Sequence, residues 1–173
     1  MNLMSYIEKG GMIGYLLLMM LTIGISTIIW KYFQIAHSEK NRAKDLKKII
    51  DELGNTTDKT LMLSYIKNSL DEKIGNLEHG MGLIRTIASL SPLLGLLGTV
   101  IGILIAFETI SNTGMGDTGS FAGGISLALV TTVMGLIIAI PHYVGYNYLV
   151  HKLEAFEAKM FKEADSILVK NDQ

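Results

Sequence analysis

Three stretches of this chain, residues 12–30, 87–107 and 121–146, contain no Asp, Glu, Lys or Arg. Each is long enough for a helix to cross about 30 Å of hydrocarbon. In lipid the backbone must satisfy its own hydrogen bonds, so segments of this kind are helical. The feature predicts an all-α integral membrane protein with three transmembrane helices and long helical extensions outside the bilayer. The expected division is an outer segment 1–11, spans 12–30, 87–110 and 121–146, a helical hairpin 31–86, an outer loop 111–120 and a C-terminal helix 147–173. Trp30 and Tyr32 suit the lipid–water boundary. The first span reads as retained: its charge follows the apolar run, from Lys31 on, and no small-x-small cleavage pattern follows.

Ten of the Lys and Arg residues lie between Lys31 and Arg85, four follow residue 150, one (Lys9) precedes the first span, and loop 111–120 has none. The positive-inside rule therefore puts the N-terminus and that loop outside, and the hairpin and C-terminus in the cytoplasm. The chain has no cysteine, which excludes disulfides, thiolate metal sites and a cysteine nucleophile. Its 15 basic and 16 acidic residues balance, and no basic-aromatic patch appears, so no nucleic-acid partner is expected. His37, His79, His142 and His151 are scattered without ligand spacing. No metal, cofactor or enzymatic activity is expected.

The charged segments also read as helices. Gly54-Asn55-Thr56 supplies a turn, and Asp58 is a candidate N-cap. Ile66, Leu70, Ile74, Leu77, Met81 and Ile84 then form an apolar stripe that leads, without a break signal, into the second span. Leu149, Leu153, Phe156, Met160 and Ile167 form another. These faces are expected to pack on one another.

Helical phase also sorts the small residues of the spans. Ala88, Ser91, Gly95, Gly98, Thr99, Gly102 and Ala106 fall on one side of the second span. On the third, Gly124, Ala128, Thr131, Thr132, Gly135, Ala139 and His142 do the same. Lipid gives helices little hydrophobic drive to associate, so close contact along small residues takes its place. Two arrangements follow from this: the stripes pack the two spans together, or they face a shared axis and line a cavity for another helix.

At these residues the chain resembles the ExbB/TolQ/MotA proton-channel family. The matching runs are "SPLLGLLGTVIGILIAF" in the second span and "GGISLALVTTVMGLIIAIPHYVGYN" in the third, with "EKGGMIGYLLLMMLTIGIS" at the first. Three spans with an outside N-terminus fit both ExbB and TolQ, and the short length favours the ExbB branch. The resemblance implies a homopentamer in the bacterial inner membrane that encloses a transmembrane helix of an ExbD-like partner bearing an essential aspartate. Proton flow would then energise a TonB-like protein acting on outer-membrane transporters. It also implies that Thr99 and Thr132 face the pore. Thr131, His142 and Glu108 are further candidates for the proton pathway from their own chemistry and position. Pro92, Gly95, Gly98, Gly102, Gly124, Gly135 and Pro141 are expected to be packing positions.

The inventory of ionisable groups agrees with a partner that brings the acid. A proton relay through hydrocarbon needs titratable groups, and the middles of the three spans have none beyond tyrosine. The family often has a Glu where this chain has Leu127; Glu108, at similar depth, either replaces it or extends to the headgroups. His142 stands where a small residue is usual, as an interfacial side chain or as a proton exit shuttle. A TolQ-like role in envelope constriction and a passive membrane scaffold are the alternatives.

Overall fold

The computed structural model describes residues 10–52, 59–114 and 118–170, so the turn at Gly54-Asn55-Thr56 and the cap at Asp58 lie outside the described residues. Among the described residues there are four helices: α1 (Gly11–Glu52), α2 (Lys59–Glu78), α3 (Met81–Thr113) and α4 (Thr118–Lys170). At 1.5 Å per residue a span needs about 20 residues. The 42 residues of α1 and 53 of α4 therefore each hold a span and a comparable further length. Among the described residues, three helical stretches are long and apolar enough to cross a membrane: Gly11–Asp51, Leu61–Asn112 and Phe121–Ser166.

One expectation is corrected. The stripe from Ile66 does not run unbroken into the second span, because a turn at His79 and Gly80 separates α2 from α3. Gly80 has φ +86°, a left-handed conformation that only glycine adopts without steric cost. Pro92 and Pro141, by contrast, sit inside α3 and α4 without ending them.

The contacts divide into two compact units. The first takes the described residues up to Thr27 together with Leu83–Tyr146. Leu17 of α1, Ile87 of α3 and Ile138 of α4 form its buried apolar cluster, flanked by Ile13, Met20, Leu21, Leu94 and Met134. All three apolar helices thus meet in one core. Their outer faces are apolar and exposed, as at Leu93, Leu104, Leu129 and Ile140. In water such a surface would be unstable; against lipid it is the expected one.

The second unit takes Ile28–Gly82 together with the described residues from Asn147 on. Here the stripes bury whole side chains: Ile35, Leu46 and Ile49 from α1, Ile66, Leu70 and Leu77 from α2, and Leu149, Leu153, Phe156 and Met160 from α4. Ion pairs run along its surface. Arg42 grips Glu163 with two hydrogen bonds of 2.9 and 2.5 Å, Lys159 meets Glu39 at 2.6 Å, and Lys73 pairs with Asp45.

Candidate functional site

In the first unit α3 and α4 lie close enough for backbone to touch backbone. A methyl group added at Gly95 would come within 2.8 Å of the Thr131 carbonyl oxygen. One added at Gly102 would come within 2.6 Å of the Gly124 carbonyl, and one at Gly135 within 2.5 Å of the Ser91 carbonyl. Real Cβ atoms do not approach that closely, so α3 and α4 hold this spacing only without side chains there. Gly98 takes the Thr131 side chain against its Cα, and Gly124 takes Ala106. Of the two arrangements open from helical phase, the stripes here face each other.

The hydroxyls divide by position. Thr131 is fully buried, and its Oγ1 donates back to the carbonyls of Leu127 and Ala128, both at 3.0 Å. Ser91 is equally buried and donates to Ile87 at 2.6 Å. Thr99 and Thr132 are half-buried at the margin of the seam, and their hydroxyls bond to each other across it. Each also lies within reach of the Gly95 and Ala128 carbonyls, at 3.2 Å from Thr99 and 3.3 Å from Thr132.

This pair has chemical versatility. Two hydroxyls hold two protons but have more than two acceptors within reach. Either can turn its hydrogen to an ionised carboxylate, or offer a lone pair to a protonated acid, while the other stays satisfied. Glu108 is separate from this pair and exposed. Pro141 is exposed, and Pro92 half-buried.

His142 has another setting. The ring is fully buried, with Nδ1 2.6 Å from the Ile138 carbonyl. Across from it lies Gly24 of α1, where any added methyl would overlap the ring. Sequence reasoning passed over Gly24. Its signal was position: Leu17, Gly24 and Lys31 are seven apart and share one face of α1, and all three are buried.

Lys31 was read only as the start of the charged region. It is 2% exposed, and its ammonium donates to Gln34 Oε1 at 2.8 Å and to the Leu77 carbonyl at 3.2 Å, in the last turn of α2. A cation there offsets the unpaired carbonyls of a helix end. Among the described residues, no group of three His, Asp or Glu could hold a metal ion.

Residues 37–162 match the MotA/TolQ/ExbB proton channel family. The chain is 48% identical to the biopolymer transport protein ExbB of Aquifex aeolicus over 71 residues, 41% of this chain and 48% of that protein. It is 38% identical to the biopolymer transport protein ExbB of Neisseria gonorrhoeae over 88 residues, covering 51% and 40%. The Tol-Pal system protein TolQ of Haemophilus influenzae is also similar, at 38% identity over 89 residues, covering 51% and 39%. The chain spans about half the length, or less, of these curated relatives.

Proposed function

The chain belongs to the MotA/TolQ/ExbB proton channel family, a family of transport components rather than enzymes, and from that premise we propose that it is an ExbB-like subunit of a proton-driven motor in the bacterial inner membrane. Five copies would enclose a transmembrane helix of an ExbD-like partner, and proton flow through the complex would energise a TonB-like protein acting on outer-membrane transport. The hydroxyl pair of Thr99 and Thr132 carries the reading. It stands at the open margin of the α3–α4 seam, in spans whose middles have no carboxyl, amine or imidazole of their own.

The division of labour follows from the cost of charge in a dry interior. A buried carboxylate without hydrogen-bond donors is expensive. A partner's acid that alternates between charged and neutral forms needs neighbours that serve both. The threonine pair can donate to one form and accept from the other. Falling through about 100 mV, each proton releases about 2.3 kcal/mol. A leak without the partner would waste that energy, and the lack of a mid-span acid in this chain guards against it. The similarity to a Tol-Pal system protein supports a second reading, a TolQ-like subunit in the same geometry with a different partner at its end.

The deciding experiment is proton flux into liposomes with an internal pH-sensitive dye. The chain alone should conduct poorly, and co-reconstitution with its ExbD-like partner should raise the flux. Thr99→Val and Thr132→Val should each lower the partner-dependent flux while the complex still assembles. Strong flux from the chain alone, abolished by Thr99→Val, would mean that this chain is itself the channel. Because the chain lacks cysteine, its orientation can be read in the same preparation series. Cysteines at Ser5 and Thr118 should react with an impermeant reagent in intact spheroplasts, and one at Asn55 should not.

A further inference from the structure

The contact between His142 and Gly24 has no part in the pathway proposed above. A carbonyl oxygen only accepts, so the 2.6 Å contact with Ile138 puts the hydrogen on Nδ1. In the neutral ring, the lone pair then belongs to Nε2. That atom is buried and, among the described residues, has no hydrogen-bond partner. It lies where a Cβ at position 24 would stand, and glycine is the one residue type that leaves room for it. A nitrogen lone pair is thus enclosed by a helix without a donor to meet it.

We propose that His142 Nε2 is a proton-binding site sealed by α1, and that taking up a proton there loosens α1 from α4. The step is a simple acid–base one. A proton from water forms an N–H bond with the Nε2 lone pair, no other bond breaks, and the positive charge stays on the imidazolium. The new N–H would face Gly24 with nothing to receive it, and an unpaired charge in a dry interior is unstable. The ring cannot turn away without giving up Ile138. Gly24 has no side chain to rearrange, so relief comes from α1 itself.

Among the described residues, no counter-charge is placed to absorb the proton. The apolar part of α1 has no ionisable side chain besides Tyr15, which is exposed, and α3 has none between Ile87 and Phe107. Arg85 and Glu108 on α3 are both exposed. On α4 itself the flanking groups are the phenols of Tyr143 and Tyr146. Further along α1, Lys31 is committed to Gln34 and Leu77. The inference needs no partner protein, so it can fail or hold independently of the motor reading.

The test uses the full chain in lipid nanodiscs. Spin labels on cysteines at Met19 of α1 and Val144 of α4, both exposed positions, report the α1–α4 distance. Labelled chains are diluted into unlabelled ones. As pH falls from 8 to 5, the distance should lengthen by on the order of 2 Å or broaden markedly, the scale of helix shifts in switching proteins. His142→Gln, which cannot take up the proton, should abolish the change. Nitrogen-15 NMR of the histidine rings should show His142 at pH 8 with its hydrogen on Nδ1. An unchanged distance in the unmodified chain, the same change in His142→Gln, or a hydrogen on Nε2 at pH 8 would each overturn the proposal.

Discussion

Along the seam from Ser91 to Ala106, α3 meets α4 through glycine, alanine and hydroxyl side chains, with backbone against backbone. In the charged unit, the same α4 buries the large side chains Leu149, Leu153, Phe156 and Met160, as α1 buries Leu46 and α2 buries Leu70. The contrast follows from the solvent. In water, burying a large apolar side chain is the main source of stability, worth about 1.5–3 kcal/mol each. In lipid that gain vanishes, because hydrocarbon solvates leucine as well as protein does, and contact must come from close fit. Many leucines of the spans accordingly point outward, as at Leu93, Leu104 and Leu129.

The largest effect should come from removing a large side chain in the charged unit. Phe156 is 1% exposed, and Phe156→Ala should cost about 3–5 kcal/mol. Hydrogen exchange by mass spectrometry on the intact chain should show amides of α2 and of α4 beyond Asn147 losing protection, while those between Gly95 and Gly102 keep theirs. Equal loss in both units would mean that they do not differ in the way argued here.

The converse change belongs to the seam. Gly135→Leu inserts a side chain where even a methyl meets the Ser91 carbonyl, and such overpacking costs about 1–3 kcal/mol. Thermal stability of the detergent-solubilised protein should fall, and α3 and α4 should separate in cross-linking. Gly123→Leu is the control, because nothing lies within 4 Å of a methyl at that position. If both variants behave alike, the seam does not depend on the missing side chains.

The sequence revealed these two units unequally. Uncharged length identified the three apolar helices, since no other backbone satisfies itself in lipid. Period alone found the buried stripes of α2 and α4, as Leu70, Leu77 and Phe156 illustrate. Phase could gather Gly95, Gly98 and Gly102 on one side of a helix, but not say which surface they meet. That depends on pairing between distant segments. Three features escaped for related reasons. Gly80 stands where a helical stripe continues on both sides, so period masked the turn. Gly24 matters only because His142 arrives opposite it from far along the chain. Lys31 counted as a topological charge, and its burial depends on the end of α2.

Within the seam, the two neighbouring threonines of α4 should separate by function. Thr131 is enclosed with its hydroxyl returned to its own helix, whereas Thr132 reaches the margin and Thr99. A net hydrogen bond of this kind is worth about 0.5–1.5 kcal/mol. Thr131→Val should therefore lower stability by that much at most and leave partner-dependent proton flux nearly intact. Thr132→Val should show the reverse, with similar stability and reduced flux. A loss of flux in Thr131→Val as great as in Thr132→Val would place the working surface inside the seam rather than at its margin.

The smallest effect is expected from the ion pairs of the charged unit, and pH isolates it. Glu39 accepts a 2.6 Å hydrogen bond from Lys159. That bond, with the positive charges of Lys159, Lys152 and Arg42, holds its carboxyl below the usual range against a smaller opposing effect of burial. A carboxyl with a depressed value in the folded state contributes stability above its unfolded value and loses it as pH falls through the folded one. Glu39 is about one-third exposed and Lys159 about half, and pairs so open to water contribute about 0.2–1 kcal/mol. At pH 7, Glu39→Gln should therefore lower the protection of amides around Glu39 and Lys159 slightly. At pH 3 the two proteins should approach each other, and 1 M salt should shrink the pH 7 difference, because screening is strong at that ionic strength. A difference that persists at pH 3 and in high salt would mean that the charge of the Glu39–Lys159 pair does not carry the effect. That pair would then serve only to keep the outer surface of the charged unit in water, with Arg42–Glu163 and Lys73–Asp45 left as the pairs that could still hold it.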